Sequence, residues 1–313
     1  MMNDPVRLLC LGNLTVDDLY LPDGAVRPRC IGGDALYAAL GARLWEDRVA
    51  MVAPVGSDAP SSVLEVLEQS GFDIAVLPRR DAPTIRNEVY YGDDGSRRWV
   101  LLTSPELFHE LSVVPEDLPA WASGAECVLI SAMSLASQEQ CVRFFRERST
   151  SRIALDLQED YIGGNEQRIL QLLSLVDVFL PSEEEVRRLT GGGNLIEILR
   201  WFASLGPRLV GVKLAERGSL LYEHGRGKLV HVPARRTEVV DPTGAGDAYC
   251  GGFLAAYLQD ETDLERAGRA GAISAAFAVS GYGVEGLVGA TRAEASRQLH
   301  DPTGWLSANL QLA

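Results

Sequence analysis

Two aspartates flank a run of small residues in the segment DPTGAGD, which spans residues 241–247. Pro242 has no backbone N–H and would end a strand that arrives from the apolar residues before it. The apolar spacing after the segment predicts a helix that begins near residue 245. Helix N-termini present unpaired N–H groups and the positive end of the helix dipole, which together bind anions. We therefore expect Gly244, Ala245 and Gly246 to form a binding site for phosphate.

The second aspartate of this segment, Asp247, has two interpretations. A carboxylate in the first turn of a helix can simply complement the helix dipole. Beside an anion-binding turn, the same carboxylate could act as a general base that accepts the proton of a hydroxyl group as its oxygen attacks a phosphoryl group. The amides of the turn would then stabilise the charge on the transferring phosphate.

Other motifs with known chemistry are disfavoured by the sequence. The segment GYGVEG (281–286) has the G-x-G-x-x-G spacing, but a predicted helix precedes it where a dinucleotide site requires a strand. Neither a Walker A motif nor a G-x-S-x-G nucleophile elbow occurs. The five cysteines form no C-x-x-C pair, and the four histidines lack metal-ligand spacing. The sequence therefore predicts reduced, small buried thiols and no zinc site.

Apolar runs alternate with amphipathic stretches along most of the chain, which predicts a mostly parallel sheet covered by helices on both faces. Candidate strands lie at 6–12, 49–56, 127–131, 152–157, 177–182 and 209–215. Candidate helices lie at 34–45, 61–70, 137–148, 166–175, 183–190, 194–205, 245–259 and 263–280. The segments SLLYE and KLVHVP, which follow the last of these strands, are typical of an antiparallel hairpin.

A further hairpin interrupts this alternation at residues 84–102, where two β-rich arms flank the turn Asp94-Gly95. Residues 17–26 could add another strand beside it. We expect one domain over residues 1–313, with a small β-sheet lid formed by approximately 15–31 and 84–112. Because alternate residues of a strand share a face, the hairpin has two faces, and either could look into the cleft. One carries Asn87, Val89 and Tyr91, and the other carries Arg86, Glu88 and Tyr90.

Charge and composition exclude several classes of partner. The formal net charge is −14, and the basic residues form no extended patch, so nucleic acid and anionic membranes are disfavoured. No apolar run reaches the ~18 residues of a membrane-spanning helix. The first residues do not have the pattern of a secretory signal. We therefore expect a cytoplasmic protein whose partner is a small molecule.

Six segments, in order along the chain, resemble motifs of the ribokinase-like (PfkB) carbohydrate kinases, and the resemblance covers essentially the whole chain. The most specific is the signature DPTGAGDAYCGGFLAAYL. The others are LGNLTVDDL (11–19), IGGDALYAAL (31–40), LPSEEEVRRLTG (180–191), VKLAERGSLLY (212–222) and AISAAFAVSGYG (272–283). The resemblance implies a ribokinase-like α/β fold and ATP-dependent phosphorylation that requires Mg²⁺.

The resemblance also implies roles for individual residues. It makes Asp247 the catalytic base and Gly244, Ala245 and Gly246 the anion hole. It places Glu185 near Mg²⁺ through water, because that ion keeps much of its hydration shell. Asp241 is the candidate ligand in a loop that binds a monovalent cation, K⁺, in some members. The implied nucleotide contacts are Lys213, Ala215, Gly218, Thr243, Gly244, Gly246, Ala272, Ser280 and Gly283.

The acceptor site is where the sequence departs most from the family. The candidate acceptor-binding residues are Asn13, Asp17, Gly32, Gly33, Asp34, Tyr37, Asn87 and Tyr91. Tyr37 stands where the family usually carries an asparagine, so it either faces the core or lines an unusual site. Asp34 is either an ordinary helix N-cap or a ligand to acceptor hydroxyls. Ser182 replaces the asparagine of the family's Asn-x-x-Glu segment, and Ala215 replaces a glycine.

These observations predict an ATP-dependent kinase that phosphorylates a hydroxyl, which we expect to be primary, of a small sugar, sugar acid or polyol. A nucleoside kinase of the same fold is the alternative, and Tyr37 or Tyr91 could supply the aromatic wall that a base needs. A non-catalytic metabolite sensor would explain Tyr37 and Ser182, but the retained Asp247 and Glu185 argue against it. A homodimer formed through the lid is an additional expectation, since exposed sheet edges favour pairing.

Overall fold

The computed structural model describes residues 5–92 and 97–306. Its strands, in chain order, are β1 (Leu8–Leu11), β2 (Thr15–Tyr20), β3 (Val26–Gly32), β4 (Val49–Val52), β5 (Val55–Gly56), β6 (Arg79–Arg80), β7 (Ile85–Tyr91), β8 (Arg97–Leu101), β9 (Cys127–Ile130), β10 (Arg152–Leu155), β11 (Val178–Phe179), β12 (Leu209–Lys213), β13 (Ser219–Glu223) and β14 (Lys228–Val232).

Its α-helices are α1 (Asp34–Arg43), α2 (Ser61–Gln69), α3 (Pro105–Glu110), α4 (Leu135–Arg148), α5 (Glu166–Leu173), α6 (Glu183–Thr190), α7 (Leu195–Leu205), α8 (Ala245–Tyr257), α9 (Leu264–Ala278), α10 (Glu285–Val288) and α11 (Arg292–His300). The helices predicted from periodicity are all present, with ends that differ from the prediction by a few residues. The helices α3, α10 and α11 were not predicted, because α3 and α10 are too short to show a helical period and α11 has too few apolar residues to show one.

The main sheet has eight strands in the order β14-β13-β12-β11-β10-β9-β1-β4. The strands from β12 to β4 pair in parallel, and β13 and β14 add an antiparallel hairpin at one edge. The strands β1 and β9 are buried along their whole length, as continuous apolar runs require when helices cover both faces. Separate hydrophobic cores lie on the two faces of this sheet. The predicted mostly parallel α/β architecture is confirmed.

A small sheet of four strands, in the order β3-β2-β7-β8, stands apart from the main sheet. The strands β7 and β8 form the predicted hairpin, and β2 pairs with β7 in parallel. The predicted turn Asp94-Gly95 lies outside the described residues. Residues 17–26, which we expected to form one strand, belong to two strands joined by a turn. The segment 84–112 also extends beyond the sheet into α3.

The strand predicted at 49–56 is wrong in its length. It is divided into β4, which belongs to the main sheet, and β5, which pairs with β6 in a separate two-stranded sheet. Pro54 lies between them and has no N–H with which to continue the ladder.

Helices α1 and α8 pack side by side and run in the same direction. A Cβ atom on Gly41 would lie 2.5 Å from the carbonyl oxygen of Ala248, and one on Gly251 would overlap the carbonyl of Ala38. The ends of the helices show their common direction: Asp34 and Asp247 interact at the two N-terminal ends, and the Gln259 side chain donates to the Trp45 carbonyl just beyond the two C-terminal ends. The glycines let the two backbones touch, so the helices form one tightly joined pair.

Among the described residues, none of the helices has both the length and the apolar composition that crossing a membrane would require.

Candidate active site

The phosphate-binding turn begins at Gly244, which is the N-cap of α8 and has a φ of 74°. This left-handed conformation favours glycine. The ring of Tyr37 fills the space that a Cβ atom on Gly244 would occupy, so steric contact requires glycine as well. The first turn of α8 then presents N–H groups that have no partner within the helix. This end of α8 therefore has free N–H groups that could donate to an anion.

Asp241 holds this turn in place from the side. Its side chain is 1% exposed. Its Oδ1 accepts a hydrogen bond from the Thr243 N–H at 2.9 Å, and its Oδ2 accepts one from the Gly283 N–H at 3.2 Å. Gly283 also packs against Ile31 of the small sheet. Asp241 thus ties the phosphate-binding turn to the segment that follows α9.

Asp34 and Asp247 face each other at the adjoining N-termini of α1 and α8. The N-cap prediction for Asp34 is wrong, because Gly33 is the N-cap and Asp34 is the first helical residue. The Asn13 N–H donates to Asp34 Oδ1 at 2.7 Å. Asp34 Oδ2 is buried without a hydrogen-bond partner in the described part of the chain. Burial, and then the carboxylate of Asp247, hold the pKa of Asp34 well above its usual value.

The predicted acceptor acid Asp17 lies on β2 and is 4% exposed. The Asn87 side-chain amide donates to Asp17 Oδ1 at 2.7 Å, and the Thr15 hydroxyl donates to Oδ2 at 3.1 Å. Burial raises the pKa of Asp17 to about 7, although these two hydrogen bonds oppose the shift. Gly32 lies directly against this carboxylate, where a Cβ atom would come 2.9 Å from Oδ2.

The hairpin face that carries Asn87 and Tyr91 is the one directed at the acceptor acid. The indole N–H of Trp99, on β8, donates to Asn87 Oδ1 at 3.1 Å, which continues the hydrogen-bond chain from Asp17. The opposite face carries a stacked pair of rings, Tyr20 and Tyr90. Trp99 was not predicted, because the turn residues gave no indication of where the return strand would start.

Tyr37 combines the two roles that the sequence left open. Its ring is buried in the core between Gly32 and Gly244, and the side chain is 2% exposed. Its hydroxyl lies among the carboxylates of Asp241 and Asp17, and it has no hydrogen-bond partner among the described residues. Burial and these acids raise the pKa of Tyr37 well above its usual value. The phenol therefore stays protonated and able to donate a hydrogen bond.

Lys213, predicted to contact nucleotide, ends β12 beside the phosphate-binding turn. A Cβ atom on Gly246 would lie 3.3 Å from its ammonium nitrogen. This nitrogen is also 2.5 Å from Oδ2 of Asp156, whose side chain is 3% exposed. Burial would lower the pKa of Lys213, but Asp156 and neighbouring acids hold it well above its usual value. The lysine is therefore a permanent positive charge at the turn.

Asp156 is a residue of this site that the sequence analysis missed. It follows β10 directly, at the carboxyl end of a parallel strand, and that position is where α/β sheets bind ligands. The signal was therefore available in the segment RIALDL. The Cys250 thiol also reaches the Asp156 carboxylate, with 3.3 Å between Sγ and Oδ2.

Glu185 and Ser182 form a capping box at the start of α6. The Ser182 N–H donates to Glu185 Oε2 at 2.7 Å, and the Glu185 N–H donates to the Ser182 hydroxyl at 3.2 Å. Burial, followed by the carboxylate of Asp156, raises the pKa of Glu185 to about 8. The replacement at Ser182 thus serves the helix start, while Glu185 remains a buried acid that a nearby cation would favour in its ionised form.

The remaining nucleotide-side candidates lie on two segments. Ala215 and Gly218 flank the turn between β12 and β13, and Ala215 has a φ of 51°, in the left-handed region that favours glycine. Gly218 packs so closely on β14 that a side chain would not fit. Ala272 lies on α9. Ser280 follows that helix, and its hydroxyl donates a hydrogen bond to the Phe277 carbonyl at 2.8 Å. No described cluster of three or more histidine, cysteine or acidic side chains could hold a metal directly.

Comparisons with known proteins bear on this arrangement. The profile described as pfkB family carbohydrate kinase matches residues 29–288. A cytidine kinase of Thermococcus kodakarensis is 29% identical, over 80% of this chain and 88% of its own length. A fructokinase of Klebsiella pneumoniae is 30% identical, over 80% of this chain and 83% of its own length. Among solved structures, a candidate ribokinase II of Escherichia coli in complex with ATP and Mg²⁺ superposes with a TM-score of 0.79 at 21% identity, covering 94% of this chain and 98% of that one.

Proposed function

The chain belongs to the pfkB family of carbohydrate kinases and is an ATP-dependent kinase, and we propose that it transfers the γ-phosphoryl group of ATP to a small neutral sugar or polyol. We expect the acceptor group to be a primary hydroxyl. One observation carries the proposal. Buried polar atoms of Asn13, Asp34 and Tyr37 have no partner in the described chain. Asp34 contacts Asn13 and faces Asp247, and Tyr37 lies against Gly244 and near Asp17. Buried polar atoms are normally paired, so these atoms fit the hydroxyl groups of an acceptor.

In the proposed reaction, Asp17 and Asn87 hold the acceptor, and the Asp247 carboxylate accepts the proton of its reactive hydroxyl. The oxygen of that hydroxyl forms a bond to the γ-phosphorus, and the bond to the leaving oxygen of ADP breaks. The N–H groups of Gly244, Ala245 and Gly246 donate to the phosphoryl oxygens and stabilise their charge. These steps need the acceptor beside the phosphate-binding turn. The positions of Asp17, on β2, and Gly244, at the start of α8, near opposite edges of the Tyr37 ring support this arrangement.

The charged groups around the turn fit the triphosphate of ATP and the ions that accompany it. Lys213 supplies a buried positive charge at Gly246, and Glu185 is the candidate that holds Mg²⁺ through water. Bound Mg²⁺ would neutralise negative charge on the phosphates. Asp241 is the candidate ligand for K⁺, since each of its two carboxylate oxygens accepts one hydrogen bond from a backbone amide and keeps a further lone pair. Ala215, Gly218, Ala272 and Ser280 are the candidates for the adenosine side.

A neutral acceptor fits the charges better than a sugar acid does. The acids Asp17 and Asp247 would repel a carboxylate when ionised, and the two arginines of the hairpin that could bind one, Arg86 and Arg98, are engaged elsewhere. Arg86 pairs with Asp58 at 3.5 Å, and Arg98 lies over the ring of Tyr90. We therefore narrow the predicted acceptors to uncharged ones.

The small sheet is proposed to act as a lid that excludes water from the acceptor. Its strands β2 and β7 carry Asp17 and Asn87, so closure would complete the acceptor site. The edge strand β8 exposes Trp99 and Leu101, by 41% and 40%. Such an edge could pair with a second copy of the chain.

A screen of acceptors tests the proposal directly. ADP release would be measured with pentoses, hexoses, sugar acids, inositols and nucleosides, each with ATP and Mg²⁺. We expect release that depends on a neutral hydroxyl compound. A protein that binds one metabolite tightly but releases no ADP with any acceptor would instead be a sensor.

We expect the rate to fall in mildly acidic solution. Burial, and then the carboxylate of Asp156, raise the pKa of Asp247 to about 6. A general base acts only when ionised, so kcat/KM should decrease by about tenfold per unit of pH below this value. Protonation of Asp17, whose pKa is raised to about 7, would make the decrease steeper. The measurement is the pH dependence of kcat/KM between pH 5 and 9.

Loss of folding can be separated from this effect. Because the pKa of Asp247 is higher in the folded chain than the usual value of about 4, ionisation of this group lowers stability as the pH rises through 6, and protonation restores it. Acid should therefore not unfold the protein through Asp247. A sample held at pH 5.5 and returned to pH 8 should regain its rate, and a profile that stays flat down to pH 5 would contradict the assignment of the base.

A nucleoside is the second candidate acceptor, and the position of Trp99 favours it. The indole is fixed at its N–H by Asn87, but its ring is 41% exposed on the face of the small sheet that carries the acceptor residues. Tyr91 contacts Tyr282 nearby, edge to face, at 6.3 Å between ring centres. An exposed, oriented ring is suited to stacking on a base.

We expect Trp99→Ala to raise KM for a nucleoside by roughly 5- to 150-fold, because stacking on a base contributes about 1–3 kcal/mol. Trp99→Phe, which keeps an aromatic face, should raise it much less. Trp201→Ala is the matched control, since Trp201 lies on α7 and is also 41% exposed. If the preferred acceptor is a sugar and its KM is unchanged by Trp99→Ala, the nucleoside candidate is excluded.

A further inference from the structure

A cleft of about 570 Å³ lies on the side of the molecule where α1 and α8 end. Its lining includes Trp45, which follows α1, and Gln259, which follows α8. The remaining wall comes from α9 and α11. The volume is within the range of roughly 300–1,000 Å³ that is usual for small-molecule sites. The proposed reaction makes no use of this cleft.

The cleft is lined by three arginines: Arg266, Arg269 and Arg292. Arg269 pairs with Glu265 at 2.7 Å, and Arg292 pairs with Asp47 at 2.8 Å.

Arg266 is different, because its guanidinium donates only to neutral groups in the described chain. These are Gln259 Oε1 at 2.9 Å and the Ala256 carbonyl at 3.4 Å. The acid Asp263 also lines the cleft, but its carboxylate accepts the Arg266 backbone N–H as the N-cap of α9. Nearby, Asp260 accepts from Thr262. Arg266 thus forms no salt bridge with a described carboxylate, although it lies near enough to Asp260 to contribute to lowering the pKa of that acid, in a chain whose net charge is −14.

The cleft is joined to the candidate active site through the paired helices. Because α1 and α8 run in parallel, both start at the site, at Asp34 and Ala245, and both end at the cleft. The Gln259 side-chain amide donates to the Trp45 carbonyl at 2.7 Å and connects the two ends. The Trp45 indole N–H donates to Ser274 at 2.9 Å, and that hydroxyl donates to the Gly41 carbonyl.

We propose that this cleft binds a small metabolite through a phosphate or carboxylate group held by Arg266, and that its occupancy changes the rate of phosphoryl transfer. The ligand replaces or shares the hydrogen bond between Arg266 and Gln259. Gln259 in turn donates to the Trp45 carbonyl, just beyond the end of α1. Glycine contacts join the backbones of α1 and α8, so a shift at one end is transmitted along both helices. Asp34 and the phosphate-binding turn lie at the other end. The rate effect rests on the proposed function, whereas binding does not.

Binding is tested by titration calorimetry with three probes: inorganic phosphate, glycerol 2-phosphate and citrate. The protein is first saturated with a non-hydrolysable ATP analogue, so that the phosphate-binding turn is occupied. We expect at least one probe to bind, and the phosphates and citrate separate the two kinds of anion. Absence of binding by all three at millimolar concentration overturns the proposal.

Two variants locate the binding. Arg266→Ala should lower the affinity for the probe by at least about tenfold, as the loss of a hydrogen bond to a charged group does. Ser296→Glu, an exposed substitution on α11 that brings a negative charge into the cleft, should do the same if Arg266→Ala fails to fold. Arg297→Ala is the control, because Arg297 lies on the same helix with its side chain 71% exposed and does not line the cleft. Equal affinity in all variants would place the probe elsewhere and contradict the site.

The rate effect is measured separately with the acceptor found in the screen. The probe should change kcat or KM in the wild-type protein and in Arg297→Ala, and should have no effect in Ser296→Glu. Coupling is reciprocal for binding, so the ATP analogue should change the affinity for the probe by the same factor as the probe changes affinity for the analogue. Binding in the cleft with no change in either quantity would refute the regulatory part.

Discussion

Asp247→Asn should reduce kcat by about 10²- to 10⁴-fold, the contribution usual for a general base. Asparagine keeps the size of the side chain but cannot accept the proton of the acceptor hydroxyl. The substitution also removes one of two carboxylates that face each other at the ends of α1 and α8. We therefore expect the variant to fold and to bind ATP with little change. The measurements are ADP release with the acceptor from the screen and calorimetric titration with ATP.

The control for this variant is Glu197→Gln, which neutralises an exposed acid on α7 and should keep the wild-type rate. Asp34→Asn is a second variant to compare with Asp247→Asn. Asp34 accepts a hydrogen bond from the Asn13 N–H and faces Asp247, but it lies on α1 and not in the first turn of α8. A near-normal rate in Asp247→Asn, with the same acceptor, would show that another group takes the proton.

Gly244→Ala should abolish most activity by displacing the phosphate-binding turn. The added methyl group would overlap the ring of Tyr37, and alanine in this left-handed conformation costs about 1–2 kcal/mol before any clash. The turn can relieve the overlap only by moving, which takes its N–H groups away from the phosphate. Since the loss of a single such donor costs about 10²- to 10³-fold in kcat, we expect a decrease at least that large. Steady-state kinetics with ATP and the screened acceptor measure it.

Gly24→Ala separates the clash from the conformational cost. Gly24 has a φ of 83° in the turn between β2 and β3, and nothing lies within 4 Å of the position of its Cβ. This variant bears a similar backbone strain without steric overlap, so its rate should remain close to that of the wild type. If both glycine variants lose activity equally, the loss comes from strain or from general destabilisation and not from the contact with Tyr37.

The fold was predictable from the sequence because its strands and helices carry clear local patterns. The apolar run of β9 and the small-residue run that begins α8 each indicate one kind of element, and neighbouring segments agree with them. The strand predicted at 49–56 fails at Pro54, a residue whose effect on a ladder is itself predictable. The helix α10 has too few turns for a period to show, and α11 has too few apolar residues.

Positions that depend on contacts between distant segments were less predictable. The sequence identified Asp247 and Gly244 from their neighbours, but it could not decide whether Tyr37 faced the core or the site. That answer depends on packing against Gly244, about two hundred residues further along the chain. Trp99 was missed for the same reason, since its partner Asn87 belongs to another strand. Asp156, by contrast, follows a predicted strand and could have been identified from the segment RIALDL.

The parallel arrangement of α1 and α8 has an electrostatic consequence for where each of the two reactants binds. Two positive helix ends lie side by side, and each has an aspartate, Asp34 or Asp247, in its first turn. In the proposed reaction, the bare amides would attract the anionic phosphate, whereas the Asp247 carboxylate would accept the proton of a neutral alcohol. The same pair of helix ends therefore sorts the two reactants by charge, which discourages either from occupying the place of the other.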